Sequence, residues 1–164
     1  MKKQWLKTTD FNYTFLVDGK EAGKMQIEFD TSAMKANCTI NGKALEIKRT
    51  GFWKSNLEIT DGNGQVVLKT YPEKWYASTS IIDFENKKLR LSVRNNPLAE
   101  FAIKEDANTI LSYGLTTEGK EPGVKISSTA STDYILDFLL WYLFVPVAAE
   151  NLGDDYSFLL LLAS

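Results

Sequence analysis

Hydrophobic and polar residues alternate through most of this chain and then stop alternating near its end. In Lys88-Leu89-Arg90-Leu91-Ser92-Val93-Arg94 the aliphatic residues take one parity and the polar ones the other. Gly23 to Phe29 and Ala44 to Lys48 read the same way. A period of two is that of a strand with one buried and one wet face, which antiparallel sheets allow. Turn signals separate such runs at Asp18-Gly19, Asn41-Gly42, Asp61-Gly62, Asp83 to Asn86 and Asp106 to Asn108. Asx-Gly pairs favour tight turns because Gly, and less readily Asn or Asp, accepts φ > 0. The signals recur about every twenty residues, two strands with their connections. The pattern therefore predicts a run of hairpins with about eleven or twelve strands over residues 11–127.

From Tyr134 to Ala149 the pattern changes: Asp137 is the only charge in sixteen residues. The segment predicts a helix over about 133–152, capped by Asp133 or Ser131 and stopped at Gly153, with Pro146 kinking or dividing it. A short apolar tail, 156–162, follows Asp154-Asp155 as one more strand or a short docked helix. A helix apolar on every side either crosses a membrane or is enclosed by protein. Crossing needs about twenty apolar residues; the uncharged run here, Phe138 to Ala149, has twelve and no Lys or Arg beside it. Enclosure is the better reading. With no polar face to turn outward, the helix belongs inside the strands, and a closed barrel of about a dozen strands has a bore wider than its own side chains fill.

The predicted fold class is thus mainly β (α+β), a roughly twelve-stranded antiparallel barrel enclosing the C-terminal helix, with residues 1–164 as one domain. Leu136, Leu139, Leu140, Leu143 and Phe144, with Trp141 and Tyr142 opposite, are expected to meet the inward residues of the strands. The Tyr142 hydroxyl and Trp141 indole N–H then need polar partners.

Composition narrows the function classes. A net charge of −2 lacks the basic excess of a nucleic-acid binder. There is no histidine, which excludes Ser-His and Cys-His nucleophile pairs and His-ligated zinc. No metal, cofactor or enzymatic activity is predicted. Cys38 is the only cysteine, so no intramolecular disulfide forms, and it reads as a small core residue. Met1 to Lys7 lacks the apolar stretch of a signal peptide. The expected location is the cytoplasm or the cytoplasmic face of a membrane.

Lys88, Arg90 and Arg94 fall on one strand face, with Lys87 near the turn. These four are the candidate site for an anionic lipid headgroup, set against the commoner role of basic residues on a solvated or edge strand. Lys43, Lys48 and Arg49 form a second basic group, interrupted by Glu46. Asp18, Glu21, Asp61 and Asp83 fall at hairpin turns, where carboxylates also serve the backbone, and none has calcium-loop spacing. Asp137 reads as a helix-start residue at the barrel mouth, reached by water. Phe52-Trp53 and Trp75-Tyr76 are candidate pocket walls as well as ordinary strand aromatics.

The enclosed helix, together with the hairpin Leu57 to Val67, resembles the tubby C-terminal-like superfamily. Ile59, Asp61, Gly64 and Val66 fit the I-x-D-x-x-G-x-V run of its LURP-one-related and scramblase branches. The resemblance spans nearly the whole chain and rests on arrangement more than on signature residues. It implies a binding module rather than an enzyme: tubby domains bind phosphoinositides through surface Lys and Arg, and scramblases are membrane-associated. No tubby-like basic pocket, scramblase-like calcium segment or cysteine-rich palmitoylation stretch is present, so no site residue carries over. The expected function is a non-enzymatic module for an anionic membrane lipid or a protein partner. The rivals are a calycin-like carrier of an apolar ligand, with the helix outside, and a protein anchored to membrane by its C-terminal segment.

Overall fold

The computed structural model describes residues 1–29, 34–51, 55–74, 78–95, 98–118, 122–129 and 133–152. Its strands are β1 (Lys3–Thr9), β2 (Asn12–Val17), β3 (Lys20–Phe29), β4 (Met34–Ile40), β5 (Lys43–Thr50), β6 (Asn56–Asp61), β7 (Val66–Pro72), β8 (Thr79–Phe84), β9 (Lys87–Arg94), β10 (Glu100–Glu105), β11 (Asn108–Thr116) and β12 (Gly123–Ser128), followed by helix α1 (Ile135–Leu152). Each strand pairs antiparallel with its neighbours in sequence, giving one twelve-stranded sheet ordered β1 to β12 that curls into a nearly closed barrel.

An up-and-down meander sends alternate connections to opposite mouths. At one mouth, the turn mouth, the hairpins are short. Asp18-Gly19, Asn41-Gly42 and Glu85-Asn86 each carry positive φ at both central residues, between 49° and 81°. Those are the I′ turns whose twist matches the flanking strands. At the other mouth, the loop mouth, successive strand ends stand farther apart in sequence, as between Phe29 and Met34 or Pro72 and Thr79. Because β12 ends at the turn mouth, α1 starts there and runs back through the bore.

Burial shows what the barrel holds. Phe138, Leu139, Leu140, Trp141 and Tyr142 are consecutive and each is at most 1% exposed. Five residues exceed a full turn, so protein covers every face of α1 over Phe138 to Tyr142. Trp5 packs against Phe15, Phe138 and Trp141 at ring separations of 4.7, 4.8 and 5.4 Å. Phe101 meets Phe144 edge-on at 5.4 Å. At Gly23 the sheet leaves no room for a side chain: an added Cβ would lie 2.7 Å from Phe138 Cζ and collide with the Thr39 carbonyl oxygen. The arrangement with an external helix, which a ligand-carrying calyx needs, is not the one adopted. Among the described residues no helix is long and apolar enough to cross a membrane.

Three expectations need correction. The strands begin at Lys3, not near residue 11: β1 was hidden because its inward parity (Lys3, Trp5, Lys7) carries two lysines. Pro146 does not divide α1, which continues through it to Leu152. Asp137 is not reached by water: it is 1% exposed and lies inside the barrel. The Asp133 cap is present, its Oδ1 accepting from Ile135 N at 3.0 Å. Ser131, Gly153 and the 156–162 tail lie outside the described residues.

Replacing Gly23 by Ala forces backbone and helix apart. Gly23→Ala is expected to destabilise by about 1–3 kcal/mol, the usual range for overpacking, measured as a lowered urea midpoint at unchanged m-value.

Candidate functional site

Alternation on β9 buries Leu89 and Leu91 and leaves Lys88, Arg90 and Arg94 exposed on the outer face, with Lys87 at the hairpin end. β8, β10 and the segment after β7 supply a carboxylate to each base. Lys87 meets Glu105 at 2.9 Å, Lys88 meets Asp83 at 2.8 Å, Arg90 meets Glu73 at 2.9 Å and Arg94 meets Glu100 at 3.3 Å. Lys88 also donates to the Tyr71 hydroxyl at 3.0 Å. Hydrogen bonds to Asp83 and then Tyr71 raise the Lys88 ammonium above its ordinary range, as Glu105 does for Lys87. Glu73 is lowered, first by the Thr79 hydroxyl and also by Arg90.

Register explains the arrangement. Asp83 stands opposite Lys88 and Glu100 opposite Arg94, and residues directly opposite share a face. Tyr71, Ile81, Arg90 and Lys104 form one outward row across β7 to β10. An open groove of about 590 Å3 at the turn-mouth end brings Lys69 and Val66 beside Lys87 and Lys88. Lys69 was not singled out in the sequence, because only the register sets it opposite Asp83.

A second cluster lies in the core. Lys3 Nζ is 2.8 Å from Asp137 Oδ2, the Tyr113 hydroxyl donates to Asp137 Oδ1 at 3.0 Å, and Trp5 Nε1 donates to the Tyr113 oxygen at 2.9 Å. Lys3 and Asp137 are 3% and 1% exposed, so this ion pair is cut off from solvent. Burial pushes the Asp137 carboxyl up, against the pull of Lys3 and Tyr113. Burial and the adjacent carboxylate push the Tyr113 phenol well up too. The signal was present in the sequence as two unmatched core charges: a lysine on the inward parity of an N-terminal strand and a lone aspartate in an apolar helix.

The other candidates separate. Cys38 is buried in the core, and burial pushes its thiol up. Tyr142 donates its hydroxyl to the Met34 carbonyl, whereas Trp141 Nε1 has no partner among the described residues. Asp18 and Asp61 stand at turn-mouth hairpins, but Asp83 lies within β8 and pairs with Lys88. No group of three or more metal-ligating side chains gathers among the described residues. Lys48 shares Glu46 with Lys35. Phe52, Trp53, Trp75 and Tyr76 lie outside the described residues. The chain matches no protein-family model, no curated protein and no solved structure.

Removing one partner of a buried ion pair strands the other. Lys3→Met is expected to cost about 3–5 kcal/mol, and Lys3→Met with Asp137→Leu to recover most of it, by comparison of chemical denaturation curves. The pH dependence has a definite sign. Native Asp137 keeps its proton to higher pH than the unfolded chain, whose ordinary value is 3.8. Its contribution to stability is therefore full below that value and fades as pH rises through the native one. The stability of wild type relative to Asp137→Asn should improve on acidification, read from urea midpoints over a pH series.

Proposed function

We propose that the protein is a non-enzymatic binding module on a tubby-like, helix-filled barrel, and that it engages a protein partner through the outer face of β7 to β10. The pairing of all four β9 bases carries the reading. Lys87, Lys88, Arg90 and Arg94 each have a carboxylate within 3.3 Å, so four positive and four negative groups sum to zero. Attraction to an anionic membrane depends on unbalanced positive charge near its surface; on this face the pairing leaves only Lys69 and Lys104 without a carboxylate partner among the described residues. A protein surface with its own mixed charges can exchange such pairs one for one, which gives register and selectivity. Tyr71 and Ile81, set within the charged row, supply the aromatic and apolar contact typical of interface cores. With α1 occupying the middle of the bore, a protein partner meets the barrel on its outer face, and the single buried Cys38 suits a reducing cytoplasm.

Vesicle flotation and site-specific photo-crosslinking separate the two partner classes. Wild type is expected to stay out of the floated fraction with phosphatidylserine or phosphoinositide vesicles. A photo-crosslinker at Ser92 is expected to capture one polypeptide, and Lys88→Glu, Arg90→Glu and Arg94→Glu together to abolish that adduct. Flotation of wild type, lost in the triple reversal, would replace the protein-partner reading with the headgroup one.

A further inference from the structure

The helix does not fill the bore to its rim, and the unfilled end has a defined chemistry. A cavity of about 710 Å3 opens at the turn mouth between the β4–β5 hairpin, the β6–β7 hairpin and the start of α1. That volume is in the range of small-ligand sites, about 300–1,000 Å3. Its floor is apolar: Ile40, Leu45, Val67 and Ile135 line it. Cross-strand partners point to the same face. Lys43 is opposite the inward Ile40, and Asp61 is opposite the inward Leu45. Both ionisable residues therefore take inward parity at the top of the barrel, above the apolar ring, and both line the cavity.

Lys43 and Asp61 do not neutralise each other. Lys43 makes no ion pair among the described residues. Asp61 is fixed by its own turn, its Oδ1 accepting from Asn63 N at 2.9 Å and Gln65 N at 3.0 Å. Its Oδ2 accepts no hydrogen bond from a described residue. Asp133, on the helix side, uses its Oδ1 in the cap. The vestibule thus presents one ammonium, Lys43, and two carboxylates, Asp61 held by its turn and Asp133 engaged in the helix cap, over an apolar floor.

We propose that this vestibule binds a small dipolar ligand with an apolar body, of the class of a free apolar amino acid or short peptide. The ligand's ammonium meets Asp61, its carboxylate meets Lys43, and its side chains cover Leu45, Val67 and Ile135. Two opposite charges on one rim recognise the two ends of one molecule, and neither end alone suffices. This site is independent of the β7 to β10 face.

Amide NMR titration of the whole chain with L-leucyl-L-leucine tests the assignment. The expected result is saturable shifts confined to residues 40–45, 61–67 and 134–136. N-acetylation or C-terminal amidation of the dipeptide should each weaken binding by about tenfold or more, the loss of one charged contact. Asp61→Asn keeps the turn's acceptor oxygen and should match the acetylated ligand. Lys43→Met, on the exposed rim, should match the amidated one and tests the site even if Asp61→Asn folds poorly. The absence of saturable shifts up to the solubility limit, or binding indifferent to both variants and both blocked ligands, overturns the proposal.

Discussion

The architecture depends on one geometric constraint: a sheet of twelve strands curled on itself encloses more space than its inward side chains occupy. Something must fill that space, because voids forfeit dispersion contacts on all sides. Here the filler is a helix with no polar face, which could not rest on the outside of anything in water. Each element resolves the other's difficulty. The five consecutive residues at 1% exposure or less record that mutual dependence, and at Gly23 the fit leaves no space for even a methyl group.

One exception to the dry interior bears on specificity. The Lys3–Asp137 pair, completed by Tyr113 and Trp5, joins the first strand and the eleventh to the first turns of the helix. Such a pair contributes little net stability over a well-packed apolar equivalent. It does penalise alternatives: rotating α1 by a fraction of a turn, or sliding β1 by one residue, leaves a buried charge without its partner. In a core otherwise made of interchangeable aliphatic and aromatic contacts, that cluster fixes which side of the helix faces the seam between β1 and β12.

Much of this was legible in the chain. The period of two and the Asx-Gly turns specify local structure, and the length and apolarity of 134–149 specify enclosure; both are properties of neighbouring residues. What was not legible depends on register between distant segments. β1 looked polar because Lys3 is buried against a residue 134 positions away. Asp137 looked like a mouth residue because nothing near it in sequence announces the lysine that receives it. The basic parity of β9 was visible, but the carboxylates that pair it come from β8, β10 and the segment after β7. Sequence showed the positive half of that face and concealed the negative half. Likewise, Lys43 and Asp61 come together only because two hairpins end at the same mouth.

Strand order has a consequence for synthesis. Every strand bonds only to strands adjacent in sequence, so each hairpin can form as soon as it leaves the ribosome. The side chains that line the bore, however, have nothing to pack against until α1 follows the last strand. A meander without α1 would therefore leave a greasy inner surface unfilled. Residues 135–152, which follow the twelfth strand, are what completes that core.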